Sequence, residues 1–314
     1  MKQNPVYKRE ARVNARSIRI SMIVMVFNGV LSAVALLNMY SVMAQVKASA
    51  SIQYTSFMQM YELLASLEFI MLLFIVPALT AASISGERER QTLDLMLTTL
   101  LTPAQIVSGK LLSALSVMVL LVVSSFPPIS MVLVFGGITW MDLAALLLCY
   151  VAVALVAGSM GIFFSAVFKR STLASVCTYG VMGLLVAGTY FANRFAMALS
   201  SSHLSRYGAA VQISGEIVRP TAGAAFYLLL LNPAATFYTV MNGPAKSGMG
   251  IESMCRIMGV QFQGWIMEHW VLASILLQLA LSGSLLFFAV RCVSPVKRGR
   301  SLRAERNKEK NKGE

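Results

Sequence analysis

The chain is short of charge, histidine and paired cysteine, and each shortage removes a class of function. Only 12% of its 314 residues are charged, about half the share a soluble domain carries, so most of the chain is not built to meet water. The 2 histidines, His203 and His269, belong to no HExxH or similar pair that would hold a zinc ion. The 4 cysteines, Cys149, Cys177, Cys255 and Cys292, lie far apart with no CxxC spacing, which excludes a zinc or dithiol redox motif. A nucleotide loop is missing too. The nearest approach to one ends at Gly109-Lys110, but Ala104 stands where the first glycine belongs and Leu111 replaces Ser or Thr. A phosphate loop needs those small residues so that its backbone N–H groups can wrap the anion. With no His/Asp/Glu cluster to form an intramembrane catalytic set, the chain reads as a non-enzyme. It has no catalytic, cofactor-binding or metal-binding residues of its own.

What is present is hydrocarbon. The chain is 57% hydrophobic, with a mean hydropathy of +0.70. Apolar runs of roughly 20 residues, enough to cross a bilayer, recur six times: Ile20 to Tyr40, Leu63 to Ser83, Leu111 to Phe135, Leu143 to Phe168, Thr172 to Ala192 and Trp270 to Val290. They lack the dyad alternation of a membrane barrel, so helices are expected throughout. The fold class is an all-α polytopic membrane protein with six transmembrane helices.

The basic residues assign the sides. Of the 26 Lys and Arg, twenty fall on one side. They lie before the first run (Lys2, Lys8, Arg9, Arg12, Arg16, Arg19), after the second (Arg88, Arg90, Lys110), after the fourth (Lys169, Arg170) and from Arg291 onward. The positive-inside rule therefore puts both termini in the cytoplasm of a cell membrane. The net charge of +13 is then mainly topology, and no nucleic-acid partner is needed. Ala48-Ser49-Ala50 resembles a signal-peptide cleavage site, but the apolar run before it is too long and its basic leader too patterned for one. Arg9, Arg12, Arg16 and Arg19 share one helical face beside Val6, Val13 and Ile20. That pattern suits an interfacial helix on the lipid headgroups or, equally, a solvated basic leader.

Between the fifth and sixth runs, Thr221 to Asn242 is apolar enough for a seventh span. Seven spans would place one basic terminus outside, and Asn232-Pro233 breaks the segment near its middle. The preferred reading is a re-entrant hairpin on the outer side, packed against protein where its broken backbone is satisfied. Glu68 is the notable intramembrane charge. It reads as a conduit or proton-sensitive residue, or as a hydrogen-bonded residue at the outer rim. Pro77 is expected to kink the second span and Pro127-Pro128 the third. Gly158, Gly161, Gly180, Gly183 and Gly188 permit close helix approach, either within the chain or at a dimer seam.

The most informative stretch is Gly86-Glu-Arg-Glu-Arg-Gln-Thr-Leu-Asp-Leu-Met-Leu-Thr-Thr-Leu-Leu-Thr-Pro-Ala-Gln-Ile-Val-Ser-Gly-Lys110. On a helical wheel, Leu93, Met96, Leu97 and Leu100 form one face and Glu87, Gln91, Asp94 and Thr98 a polar stripe opposite. Thr102 reads as an N-cap and Pro103 as the first helical residue. The second span is therefore expected to continue as a helix past the membrane, turn, and re-enter. Periodicity alone leaves open a hairpin resting on the bilayer surface.

This segment resembles the signature of the type-two ABC exporter permeases (ABC-2 type), and Asn4-Pro-Val-Tyr-Lys-Arg-Glu-Ala-Arg12 resembles their N-terminal interfacial helix. The chain departs from the pattern at Gln91, where glycine is usual, and at Leu100, where proline is usual. The resemblance implies a coupling helix that docks on a separate ATP-binding subunit, with ATP and magnesium held there. Glu87, Arg88, Glu89, Arg90, Thr92, Asp94, Thr98 and Thr99 would face or cap that partner. Leu93 and Leu97 would pack the hairpin or fill a groove in it. It also implies a dimer with a second permease, the same chain or a sister, with a conduit lined by the second and fifth spans. The chain then divides into an interfacial helix at 1–19, a six-span permease domain at 20–292 and a basic cytoplasmic tail at 293–314. The permease domain holds the coupling loop at 86–110 and an extracytoplasmic segment at 193–269. The expected function is export across a bacterial membrane driven by a partner ATPase; the alternative is an ATPase-independent secondary transporter or membrane scaffold.

Overall fold

The computed structural model describes residues 4–49, 54–98, 101–135, 138–211, 220–245 and 250–293, and every regular element among them is helical. In chain order these are α1 (Pro5–Ala15), α2 (Ile18–Ser49), α3 (Tyr54–Thr80), α4 (Ser85–Glu89), α5 (Thr92–Thr98), α6 (Pro103–Ser124), α7 (Phe126–Phe135), α8 (Trp140–Val167) and α9 (Ser171–Gly183). A π turn (Leu184–Gly188) joins α9 to α10 (Thr189–Val211). A 3-10 segment (Gly223–Leu231), α11 (Pro233–Ala245), α12 (Gly250–Met258), α13 (Trp265–Glu268) and α14 (Trp270–Val293) complete the chain. Six stretches are long and apolar enough to cross a bilayer, in the order and number expected. This is an all-α multi-pass membrane protein. The first two spans run further than their apolar runs imply, because α2 continues to Ser49 and α3 already starts at Tyr54.

Local sequence explains the helix starts. Asn4 caps α1 by accepting from the Val6 N–H at 3.1 Å, with Pro5 in the first position; proline is tolerated there because that N–H has no intrahelical partner. Thr102 and Gln105 form a reciprocal capping box for α6, as Thr139 and Asp142 do for α8, each satisfying two otherwise orphaned donors. Pro77 lies one turn before the end of α3. Pro127 and Pro128 occupy the first turn of α7, so the helix of the third run breaks at Ser125.

The fourth span, α8, is the hub. It packs against α3, α6, α9, α11 and α14, and a row of small buried residues, from Ala154 through Ala157, Gly158 and Gly161 to Ser165, lets these helices close in. A Cβ on Gly158 would lie 2.9 Å from Leu111 Cδ1, and one on Gly161 would collide with Thr80 Oγ1 and lie 2.8 Å from Thr80 Cβ. These two glycines therefore serve packing within the chain. Gly180 and Gly183 have nothing within 4 Å of an added Cβ.

The segment around Asn232 is bent by 91° and sits among protein side chains. Phe237 of α11 stacks on Phe69 of α3 with ring centroids 4.3 Å apart. The interrupted backbone is satisfied from α14, and the segment's own Asn232 side chain ties it to the fifth span. Ser274 Oγ and Gln278 Nε2 of α14 donate to Leu230 O, and Asn232 Nδ2 donates to Val186 O at 2.9 Å and Thr189 Oγ1 at 2.8 Å. Val186 lies in the π turn, a geometry that interrupts the regular ladder and leaves carbonyls for outside donors.

Gly161→Ala is expected to lower stability by about 1–3 kcal/mol through overpacking against Thr80, whereas Gly180→Ala stays neutral or slightly stabilising as an ordinary helix substitution. Thermal melting of the purified variants in detergent checks this; equal melting temperatures would contradict the packing role.

Candidate functional site

At one end of the bundle the chain leaves α3, forms two short helices and enters α6. The turn at 81–84 would leave the first N–H groups of α4 without partners. Ser165, buried on α8, supplies them: its Oγ accepts from Ile84 N at 2.8 Å and Ser85 N at 2.9 Å. The second span runs on to Glu89 as one long stretch, as expected, but not as one unbroken helix. Regular helix pauses after Thr80 at the turn, and α4 and α5 are separated at Arg90-Gln91, which interrupts the polar stripe. Gln91 has φ +57°, the only non-glycine residue with positive φ among the described residues. A left-handed conformation costs a side chain about 1–2 kcal/mol, which is a physical reason for glycine at this position in the pattern that the loop resembles.

Three consecutive residues of α4 grip three different spans. Glu87 Oε1 lies 2.8 Å from Lys110 Nζ on α6. Arg88 Nη1 donates to Phe168 O at the end of α8 at 3.4 Å. Glu89 accepts from Ser171 N at 2.8 Å and Ser171 Oγ at 2.9 Å, capping α9; a carboxylate at a helix N-terminus meets unpaired donors and the positive end of the helix dipole.

Lys110 is buried, with 3% of its side chain exposed, and a second carboxylate, Glu10 of α1, approaches its ammonium to 3.1 Å. The N-terminal helix is thus fastened to the same joint. Asn4 Nδ2 donates to Gln105 O at 2.7 Å, Asn14 Nδ2 donates to Ser113 Oγ at 2.9 Å, and the Tyr7 hydroxyl lies 3.0 Å from Ser116 Oγ. Gly109 lets Val6 close in, since a Cβ there would stand 2.8 Å from Val6 Cβ.

Beneath the charges, Leu93 is buried with Ile84, Val107, Leu111, Ile162 and Val293, and Leu97 packs half-buried on that cluster. Thr92 Oγ1 donates to Glu87 O at 3.2 Å. Arg90 and Thr98 are exposed. Asp94 is helical but its side chain lies outside the described residues, as does Thr99 altogether.

Glu68 sits midway along α3 and is 0% exposed. It is enclosed by protein, and it is hydrogen-bonded, as one of the two readings of this residue expects. Ser125 Oγ donates to its Oε1 at 2.6 Å, while Oε2 is buried with no partner among the described residues. The break between α6 and α7 places that serine beside it. An open apolar pocket of 420 Å³ lies between the second and fifth spans, lined by Leu73, Phe74, Tyr179, Met182, Gly183, Val186 and Ala187. Outside the spans, burial pushes the Cys255 thiol up to about 11, consistent with an inert packing cysteine.

Sequence reasoning missed Lys110, Glu10, Ser165 and Ser171 as members of this joint. Only Lys110 carried a signal, a lone cation at the start of an apolar run.

The bundle and its charged joint define a multi-pass helical membrane protein whose short inter-span loop is bonded to three spans and, through Lys110, linked to the N-terminal helix. Residues 5–290 match the family model described as ABC-2 family transporter protein, and the chain belongs to that family. It is accordingly a transporter permease. No curated protein matches the chain.

Replacing Gln91 by glycine is expected to raise thermal stability, the left-handed strain relieved exceeding the roughly 0.5–1 kcal/mol entropic cost of a glycine. Gln91→Val lowers it. Melting of both variants in detergent checks the order, and a Val variant as stable as the Gly variant would contradict the strain.

Proposed function

We propose that this chain is the membrane subunit of an ABC exporter, in which a separate ATP-binding subunit presses on α4 and α5 and the joint passes that displacement to the spans. The observation that carries this reading is the grip of Glu87, Arg88 and Glu89 on α6, α8 and α9. A loop bonded to three spans cannot be displaced without moving them, whereas a loop lying free on the bilayer transmits nothing. In this reading the charges of α4 hold the lever, and the exposed Arg90 and Thr98, with Asp94 and Thr99, meet the partner. Charged rim residues would select that partner and a few apolar anchors would carry the binding energy.

ATP and magnesium belong to the partner. In this reading the loop and both termini lie on the cytoplasmic side of a bacterial cell membrane, and the bias of basic residues supports that side. A second permease, identical or sister, completes the conduit. The apolar pocket between the second and fifth spans fits one wall of it, and the bent segment around Asn232 is a re-entrant hairpin at the outer exit. Glu68, enclosed inside the bundle, acts on the conduit through packing and not by contact with cargo.

Co-expression with candidate ABC ATP-binding subunits, followed by purification in mild detergent or nanodiscs, tests the reading. The native chain is expected to retain an ATPase and change its hydrolysis rate, and Arg90→Glu is expected to weaken retention at least tenfold while leaving the melting temperature unchanged. Retention undiminished in that variant, or no ATPase bound by the native chain, would contradict the proposal and favour an ATPase-independent transporter or a scaffold.

A further inference from the structure

Helix α1 has two faces, and the joint uses one. Asn4, Val6, Tyr7, Glu10 and Asn14 are turned to α6. Lys8, Arg9, Arg12 and Arg16 are exposed on the other side. With Pro5 and Val13 they line a concavity of 660 Å³ at the elbow where α1 gives way to α2. Glu10 is the only acidic residue in the first 49, and Lys110 occupies it. Among the described residues the ion pairs are those of Lys110 alone, so the four cations have no counter-charge there. Their spacing sharpens the problem, since Lys8–Arg12 and Arg12–Arg16 are like-charge pairs four residues apart, which destabilise a helix.

The same elbow also exposes hydrocarbon. Val13, Ile18 and Met22 are 60%, 77% and 56% exposed, and Met22 leads directly into the exposed Met25 and Val26 of the first span. A free anion has no use for that rim, and an acidic protein surface would leave the adjoining span face uncovered. A phospholipid answers both demands, with phosphate against the cations and acyl chains against the apolar side chains.

We propose that the elbow between α1 and α2 is a binding site for an anionic phospholipid, with Lys8, Arg9, Arg12 and Arg16 on the headgroup phosphate and Val13, Ile18 and Met22 on its chains. The site is independent of the export reading. Because α1 is fastened to the joint through Glu10 and Lys110, occupancy steadies the joint as well as the helix.

The full chain in neutral detergent is titrated with phosphatidylglycerol, phosphatidylcholine or inorganic phosphate, and lipid retention is read by native mass spectrometry beside the thermal midpoint. Phosphatidylglycerol is expected to be retained and to raise the midpoint, and the other two are not. Arg12→Gln/Arg16→Gln is expected to bind it roughly 30-fold more weakly, at about one kcal/mol for each cation at an anionic surface. Arg194→Gln/Arg256→Gln, with the same change in net charge at exposed positions elsewhere, is expected to bind it as the native chain does. Retention unchanged in the Arg12/Arg16 variant would overturn the site. Equal stabilisation by inorganic phosphate would make it a free-anion site, and equal retention of phosphatidylcholine would make it an apolar contact, each contradicting the proposal. Absence of lipid binding together with loss of a co-purified ATPase in the Arg12/Arg16 variant would assign the surface to that protein instead.

Discussion

The Lys110 ammonium sits at the start of the third span with 3% of its side chain exposed, held by Glu10 of the N-terminal helix and Glu87 of the inter-span loop. An exposed ion pair contributes little, because water and salt already stabilise both charges. A largely buried one is different: its members have given up hydration, and removing one strands the others. Here one cation answers two carboxylates from segments far apart in the chain. The N-terminal helix, the loop and the third span therefore hold their positions by the same interaction. Glu87 has its second oxygen buried and unpartnered among the described residues, which leaves it dependent on that single ammonium.

The rest of the joint depends on the fourth span. Its small residues bring the second and third spans close, and Ser165 receives the backbone at the turn after Thr80. Neither feature has intrinsic strength comparable to a large apolar core. Their effect is geometric: they set where α4 begins and so direct Glu87, Arg88 and Glu89 toward three different helices. At the other end of the bundle the same economy recurs. A π turn presents Val186 O, Asn232 reaches it, and the bent segment becomes part of the packed protein.

Much of this architecture was legible in the sequence because it is written in local pattern. Six apolar runs and the basic residues between them mark the spans, Thr102-Pro103 marks a helix start, and Asn232-Pro233 marks the bend. What was not legible depends on partners distant in the chain. Asn4 meets Gln105, Glu10 meets Lys110 and Asn14 meets Ser113, each about a hundred residues apart, and such pairs leave no periodic trace. The helical wheel drawn through residues 87–98 failed for a related reason. It assumed one helix, while Ser165 fixes the start of α4 and the left-handed Gln91 separates α4 from α5. The enclosure of Glu68 was not legible either, because its partner Ser125 is 57 residues away and comes beside it only where α6 gives way to α7.

The most direct measurement is a double-mutant cycle between Glu10→Gln and Glu87→Gln, read as unfolding free energy in mixed micelles. The two carboxylates meet only through Lys110, so a shared ammonium makes the loss of one change the worth of the other. The account predicts a coupling of at least about 1 kcal/mol, abolished when Lys110→Met is the background. Additivity within about 0.5 kcal/mol in the native background would mean that the three segments are not joined through this residue.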